Sequence, residues 1–288
     1  MTSKRWLAGA LVAAALAVSC SDPGNSPPAS ASASPSPRIY VFENGTISGL
    51  DPALFNFKRE ELQQVDFVNM AYLVVHPRGT LMVDSGGMPD SVFKADGAPV
   101  VEGVMTATKP LLPQLKAVGY EPSDITYFVL SHYHSDHTGN ANAFANATWI
   151  VQKSERDYMF GDKPEGIIQP ATYDALRNAK TKILDNEDFD VFGDGSVVVM
   201  STPGHTPGHQ VVAVKLENRG TVVLAGDLYH YPEERTTGRI PTFEFAPEQS
   251  KVSRARIEKF VQDNHAQLWI EHDAATHAAL PKSPAYVD

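Results

Sequence analysis

Cysteine is almost absent from this sequence, because its 288 residues include a single one, Cys20. No disulfide can form within the chain, and a metal site in its folded part cannot use thiolate ligands. Basic residues are also scarce, with 24 Lys and Arg against 34 Asp and Glu, for a formal net charge of −10. Nucleic-acid binding needs clustered Lys and Arg to neutralise phosphates, so the sequence predicts no nucleic-acid partner. With 42% hydrophobic residues, the chain can still form a globular core.

The apolar segment near the N-terminus is too short to span a bilayer. It covers thirteen mostly apolar residues, Trp6 to Val18, after Lys4 and Arg5, which is the length of the apolar region of a signal peptide. It ends in small residues before Cys20, an arrangement that resembles the lipobox of bacterial lipoproteins. We therefore predict a lipoprotein signal peptide over residues 1–20, export, and a lipid anchor on Cys20 that holds the protein to a membrane, in the periplasm or at the cell surface. An ordinary secretory signal is the alternative.

A segment rich in proline, serine and alanine follows the cysteine. Fourteen of the seventeen residues from Ser21 to Pro37 are of these three types. Such a stretch cannot bury enough apolar surface to offset the entropy of ordering. We therefore predict a solvated tether over residues 21–38 and one folded domain over residues 39–288.

Short β-type runs alternate with helical runs through the folded part. The predicted strands are Ile39–Phe42, Phe67–Val75, Thr80–Val83, Ile125–Leu130, Thr148–Gln152, Ser196–Met200, Gln210–Leu216, Thr221–Ala225 and Gln267–Ile270. The predicted helices are Lys109–Val118 and Pro247–Asn264. In the second helix, Ile257, Phe260 and Val261 fall on one face, and its proline sits in the first turn. The pattern predicts stacked sheets with outer helices.

The densest group of candidate metal ligands follows the predicted strand Ile125–Leu130. It reads Ser131-His132-Tyr133-His134-Ser135-Asp136-His137. Three imidazoles and a carboxylate on a tight loop suit Zn²⁺. His132 and His134 can point to one side while Asp136 and His137 turn to another, so one loop can serve two metals. A polar surface turn is the alternative, but a chance match to this spacing is expected on the order of 10⁻³ times per sequence.

This loop and four other motifs of the chain together resemble the motifs of the metallo-β-lactamase superfamily. The other motifs are Val83-Asp84-Ser85-Gly86, Thr202-Pro203-Gly204-His205-Thr206-Pro207-Gly208-His209, Ala225-Gly226-Asp227 and Glu271-His272-Asp273. The resemblance implies an α/β (α+β) fold, a four-layer αββα sandwich, with two Zn²⁺ ions. The implied ligands are His132, His134 and His205 for metal one and Asp136, His137 and His272 for metal two, with Asp227 bridging both. Asp84 would fix a ligand histidine, and His209 would support the His205 loop.

Within that superfamily, the motif spacings are similar to those of the N-acyl homoserine lactone hydrolases. They are 22 residues from His205 to Asp227 and 45 from Asp227 to His272. The resemblance implies a dinuclear zinc-dependent hydrolase that opens a lactone or related ester, such as an N-acyl homoserine lactone, by attack of a metal-bridging hydroxide. The alternatives are a phosphoester, a thioester or a β-lactam as substrate, or a zinc-binding protein without catalysis. β-Lactamases of the superfamily lack the bridging aspartate, which disfavours a β-lactam.

Catalytic side chains are expected beside the bridging aspartate. Lactonases of this group place a tyrosine three residues after it, and here that position is His230, between Tyr229 and Tyr231. Tyr229, His230 and Tyr231 are therefore candidates to contact the substrate carbonyl, and Asp227 and Asp136, the latter as a proton relay, are further catalytic candidates. Core packing is the alternative for this aromatic cluster. Candidates for an apolar acyl pocket are Met88, Phe93, Met105, Phe243 and Phe245.

Overall fold

The computed structural model describes Met1, residues 36–162 and residues 166–288. The predicted signal peptide, Cys20 and most of the predicted tether lie outside these residues. The first strand begins at Arg38, one residue before the predicted start of the domain. No helix formed by the described residues has both the length and the apolar character needed to cross a membrane.

The described residues form fourteen strands and six α-helices. The strands are β1 (Arg38–Ile47), β2 (Phe67–His76), β3 (Gly79–Val83), β4 (Val100–Glu102), β5 (Met105–Ala107), β6 (Tyr127–Val129), β7 (Thr148–Gln152), β8 (Thr181–Leu184), β9 (Phe189–Asp190), β10 (Val197–Ser201), β11 (Gln210–Leu216), β12 (Gly220–Leu224), β13 (Gln267–Trp269) and β14 (Tyr286–Val287). The helices are α1 (Leu111–Ala117), α2 (Ser135–Thr138), α3 (Lys153–Met159), α4 (Pro232–Thr237), α5 (Pro247–Asn264) and α6 (Ala274–Ala278).

Two sheets organise these strands. The first has the order β4-β5-β1-β2-β3-β6-β7-β8, with β14 paired to β1, and the second has the order β13-β12-β11-β10-β9. Successive side chains of β1 point to opposite faces of the first sheet, and both of these faces are buried. Ile39 and Val41 belong to a core that also contains residues of the second sheet, whereas Tyr40 and Phe42 pack on the other side with α1.

The second sheet is covered on its outer face by α5. Ile257, Phe260 and Val261 of this helix pack against apolar residues of β11 and β12, as their spacing predicts. The layers are therefore helix, sheet, sheet and helix, which confirms the predicted αββα sandwich. Burial on both faces explains why strands such as β11 are almost continuously apolar.

Parallel pairing brings the ends of distant strands to one edge. β3 pairs with β6 and β12 pairs with β13, both in parallel register. The carboxyl ends of each pair lie side by side, so Asp84 follows β3 next to the histidine-rich loop that follows β6. In the same way, Asp227 after β12 lies beside His272 after β13. The candidate ligands thus come from loops of both sheets.

Candidate active site

The seven predicted metal ligands lie in two groups that share Asp227. One ligand atom from each of His132, His134, His205 and Asp227 lies within 4.8 Å of the others, and the same holds for Asp136, His137, Asp227 and His272. Six of these side chains are buried, and Asp136 is the most accessible, with 14% of its side chain exposed. The structure therefore brings together every ligand that the sequence predicted.

The carboxylate of Asp227 lies between the two groups, with one oxygen toward each. Its Oδ2 is 3.6 Å from Nε2 of His132 and 3.4 Å from Nε2 of His205. Its Oδ1 is 3.3 Å from Nε2 of His137 and 3.1 Å from Nε2 of His272. This division is the geometry of a carboxylate that bridges two ions.

The donor atoms fit a pair of zinc ions. Nε2 of His132, Nε2 of His137 and Oδ1 of Asp227 are buried without a hydrogen-bond partner, a state that is costly unless another group binds them. Burial, and next the nearby His205, lower the pKa of His134 to about 3, so this ring is neutral, as a metal ligand must be. Imidazole nitrogens and carboxylate oxygens are the donors that zinc takes in catalytic sites.

Hydrogen bonds at the far nitrogen orient three of the ligand rings. Nδ1 of His137 lies 3.1 Å from Asp84 Oδ2, Nδ1 of His205 lies 2.9 Å from Glu244 Oε1, and Nδ1 of His272 lies 2.9 Å from the carbonyl oxygen of Val68. Each contact leaves Nε2 facing the cluster, which is how carboxylates and carbonyls fix a ligand histidine. Asp84 is placed to fix a ligand histidine, as the sequence predicted, whereas no feature of the sequence pointed to Glu244.

Glu155 of α3 is a second residue that the sequence did not reveal. It is 2% exposed, and it accepts the backbone N–H of Tyr133 at 2.9 Å, the hydroxyl of Thr206 at 2.8 Å and the backbone N–H of Gly208 at 2.7 Å. Burial raises the pKa of Glu155 to about 7, against the effect of these donors. One carboxyl group thus joins the loop of His132 and His134 to the loop of His205.

The position of Asp227 depends on the residue before it and on His209. Gly226 has φ +47°, and a Cβ there would lie 2.6 Å from the Cβ of Ser131, so only glycine allows this close approach. The backbone N–H of Asp227 donates to Nε2 of His209 at 3.1 Å, and Nδ1 of His209 pairs with the Thr202 hydroxyl at 2.8 Å. His209 therefore supports the bridging aspartate as well as its own loop.

A largely apolar cavity of about 280 Å³ opens on the ligand cluster. Its apolar lining is Ile47, Leu50, Leu54, Phe55, Phe67, Val104, Met105, Ile167 and Phe243, and its polar lining is His134, Ser135, Asp136, His205, Asp227 and His230. Met105 and Phe243 are thus placed as predicted, but Met88, Phe93 and Phe245 are not among the lining residues.

The three candidates after the bridging aspartate separate in space. His230 lies in the cavity wall with Nε2 3.3 Å from Asp227 Oδ2. The Tyr229 hydroxyl instead donates to Glu258 of α5, and its ring packs under that helix. Tyr231 donates to the carbonyl oxygen of Val65. The prediction that Tyr229 or Tyr231 contacts substrate is therefore corrected: successive residues in this extended stretch point to different sides, and only His230 faces the site.

Comparison with known proteins identifies the family of this chain. A family model described as "Metallo-beta-lactamase superfamily" matches residues 65–267. The chain belongs to the metallo-β-lactamase superfamily. A relative in this superfamily, the N-acyl homoserine lactonase of Bacillus sp., is 31% identical over 257 residues, which cover 87% of this chain and 98% of the relative.

Two solved structures match the fold. An N-acyl homoserine lactone hydrolase with N-hexanoyl-L-homoserine bound at its catalytic metal centre has a TM-score of 0.71 and 27% identity, over 88% of this chain and 99% of its own. The dizinc quorum-quenching lactonase AidC has a TM-score of 0.63 and 21% identity, over 87% of this chain and 93% of its own. The second likeness concerns the fold alone.

Proposed function

We propose that this protein is a dinuclear zinc hydrolase that opens lactones, with N-acyl homoserine lactones as its substrate class. One observation carries the proposal: two ligand groups that share a bridging carboxylate face an apolar cavity. None of the described residues that line this cavity is a lysine or arginine, so no side chain there would add to the charge that two zinc ions would offer an anionic phosphoester. An apolar wall beside a polar cluster suits an acyl chain on a neutral ester ring. The relatives above, which are lactonases, support the same substrate class.

Each side chain then has a role. His132, His134 and His205 would hold one ion, Asp136, His137 and His272 the other, and Asp227 both. Zinc ions bound there would polarise the ester carbonyl and lower the pKa of water toward about 7, so that hydrolysis needs no separate strong base. We assign to His230 Nε2 the contact with a substrate oxygen, because it is a polar atom in an apolar wall.

Asp136 is the candidate proton relay. It is the ligand with the most accessible carboxylate, it lines the cavity, and its Oδ2 lies 3.5 Å from Nε2 of both His137 and His272. A carboxylate at this position could take up the proton that the attacking water releases and pass it to the leaving alkoxide when the ring opens.

A substrate panel tests the proposed activity. Purified protein loaded with two equivalents of zinc should hydrolyse N-acyl homoserine lactones, while bis-(p-nitrophenyl) phosphate, a thioester and a β-lactam should be turned over at least about tenfold more slowly because the cavity matches them less well. A chelator should remove the activity, and zinc should restore it. Faster turnover of the phosphate or of the thioester would contradict the proposal, and so would no turnover of any lactone.

We also propose that the chain is exported and anchored as a lipoprotein through Cys20. The support is in the sequence, where two basic residues, an apolar run and small residues precede that cysteine. In cells that process lipoproteins, the protein should fractionate with membranes and carry a lipid mass on Cys20. The Cys20→Ala variant should lose both properties. Equal fractionation of the two proteins without a lipid mass would overturn this proposal.

A further inference from the structure

A buried ion pair between Glu234 and Arg254 lies next to His230. The proposed mechanism gives this pair no role. Glu234 of α4 is fully buried and Arg254 of α5 is 5% exposed. The arginine donates to Glu234 Oε2 at 2.6 Å, and also to the carbonyl oxygens of Leu228 at 2.7 Å and Arg239 at 2.6 Å. All three bonds fix the guanidinium, so the carboxylate of Glu234 is held in one place.

The second oxygen of Glu234 faces the imidazole of His230. Oε1 of Glu234 and Nδ1 of His230 are 3.3 Å apart. Both atoms are buried and lack any other hydrogen-bond partner. Among the described residues, each is thus placed to satisfy the other, and an acceptor-only carboxylate at this contact requires that Nδ1 carry the hydrogen.

Three apolar rings surround His230, beside the imidazoles of His205 at 5.0 Å and His272 at 6.2 Å between ring centroids. The centroid of its ring lies 5.1 Å from that of Phe55, 6.2 Å from that of Phe67 and 5.5 Å from that of Phe243. These contacts restrict the plane of the imidazole but cannot distinguish its two nitrogens. Asp227 lies beside Nε2 and Glu234 beside Nδ1, so Glu234 is the carboxylate that keeps Nδ1 on the side away from the cavity.

We propose that Glu234 and Arg254 are positioning residues that hold Nδ1 of His230 away from the cavity, so that Nε2 is presented to the substrate beside Asp227. The inference rests on the proposed lactonase function for the substrate contact. A buried ion pair is seldom the most stable choice for a core, because desolvation offsets the attraction of the charges. Here the pair serves to orient a side chain of the site, as outer groups do for metal-bound histidines.

The test removes both charges together. Replacing a buried ion pair by apolar residues of similar size usually preserves folding, so the double variant Glu234→Met, Arg254→Met should keep its two zinc ions and its melting temperature. With N-hexanoyl homoserine lactone as the probe, kcat should fall about 10- to 100-fold, the range seen for outer-shell groups. The matched control is Arg235→Met, Glu258→Gln, in which an amide oxygen remains to accept the Tyr229 hydroxyl. This pair joins the same two helices at 2.7 and 2.9 Å but is about one-third exposed and does not touch His230; its kcat should stay within about twofold.

Two further measurements separate positioning from general damage. In a His230→Phe background, removing the ion pair should cause no additional loss of kcat, whereas additive losses would overturn the proposal. The ¹⁵N spectrum of labelled histidine, assigned with His230→Phe, should show a hydrogen on Nδ1 of His230 that the double variant loses. An unchanged ¹⁵N signal would also overturn it. This signal does not depend on turnover, so it decides the positioning role even if the wild-type protein fails to open lactones.

Discussion

Replacing Asp227 by alanine is expected to abolish hydrolysis, with kcat/KM lowered at least about 1,000-fold. The reason is that its two oxygens face different histidine pairs, and Asp227 is the one described residue that belongs to both ligand groups. Zinc content should fall below two ions per chain, since each ion loses one of four protein ligands. Activity on a lactone and zinc measured by mass spectrometry check the two parts of this prediction.

A surface aspartate provides the control for that experiment. Asp263, which pairs with Lys259 along α5 and has 54% of its side chain exposed, should tolerate the Asp263→Ala change with unaltered kinetics. The bridging role would be contradicted if Asp227→Ala kept two zinc ions and turned over lactone within tenfold of the wild type.

Removing the carboxyl group of Glu155 is expected to lower both the free energy of unfolding and the affinity for zinc. Glu155→Ala leaves the N–H groups of Tyr133 and Gly208 and the hydroxyl of Thr206 without an acceptor in a buried place. The free energy of unfolding should fall by about 3 kcal/mol or more. Because the carboxyl joins the loops that carry His132, His134 and His205, zinc affinity at metal one should also fall, by about 10- to 100-fold.

Urea denaturation of the zinc-free protein and competition with a chelating dye measure these two effects separately. Glu155→Gln keeps one carbonyl acceptor and should show a smaller loss of both quantities. Glu248→Ala, on an exposed glutamate of α5 with 85% of its side chain exposed, should change neither. Loss of stability with full zinc affinity would mean that Glu155 supports the fold but does not position the ligands.

Local chemistry predicted the ligands of one loop, and the resemblance to the metallo-β-lactamase superfamily implied the others. His132, His134, Asp136 and His137 lie on one loop, and His205, Asp227 and His272 each stand in a short motif next to a strand. The helix Pro247–Asn264 was also predicted with its observed bounds, because its proline and apolar spacing act within a few residues. These patterns can be recognised in the sequence because they depend only on residues that are close together along the chain.

The supporting residues were not predictable for the opposite reason. Glu155 meets Thr206 across 51 positions of sequence, and Glu244 meets His205 across 39. Nothing near either glutamate distinguishes it from a solvated one. Likewise, β4 and β5 have three residues each and exist through pairing, β5 with β1 and β4 with β5. Their own side chains give no alternation long enough to recognise.

The distribution of the ligands over the two sheets makes the metal centre sensitive to how those sheets are spaced. His132 and its loop move with the first sheet, whereas His205, Asp227 and His272 move with the second. A substitution deep in the intersheet core, at Val199 or Val212 for example, would therefore change the distance between donor atoms without touching any of them. Variation far from the cavity would in this way adjust the spacing of the donor atoms within each ligand group, and with it the zinc affinity of the site, while every ligand stays the same.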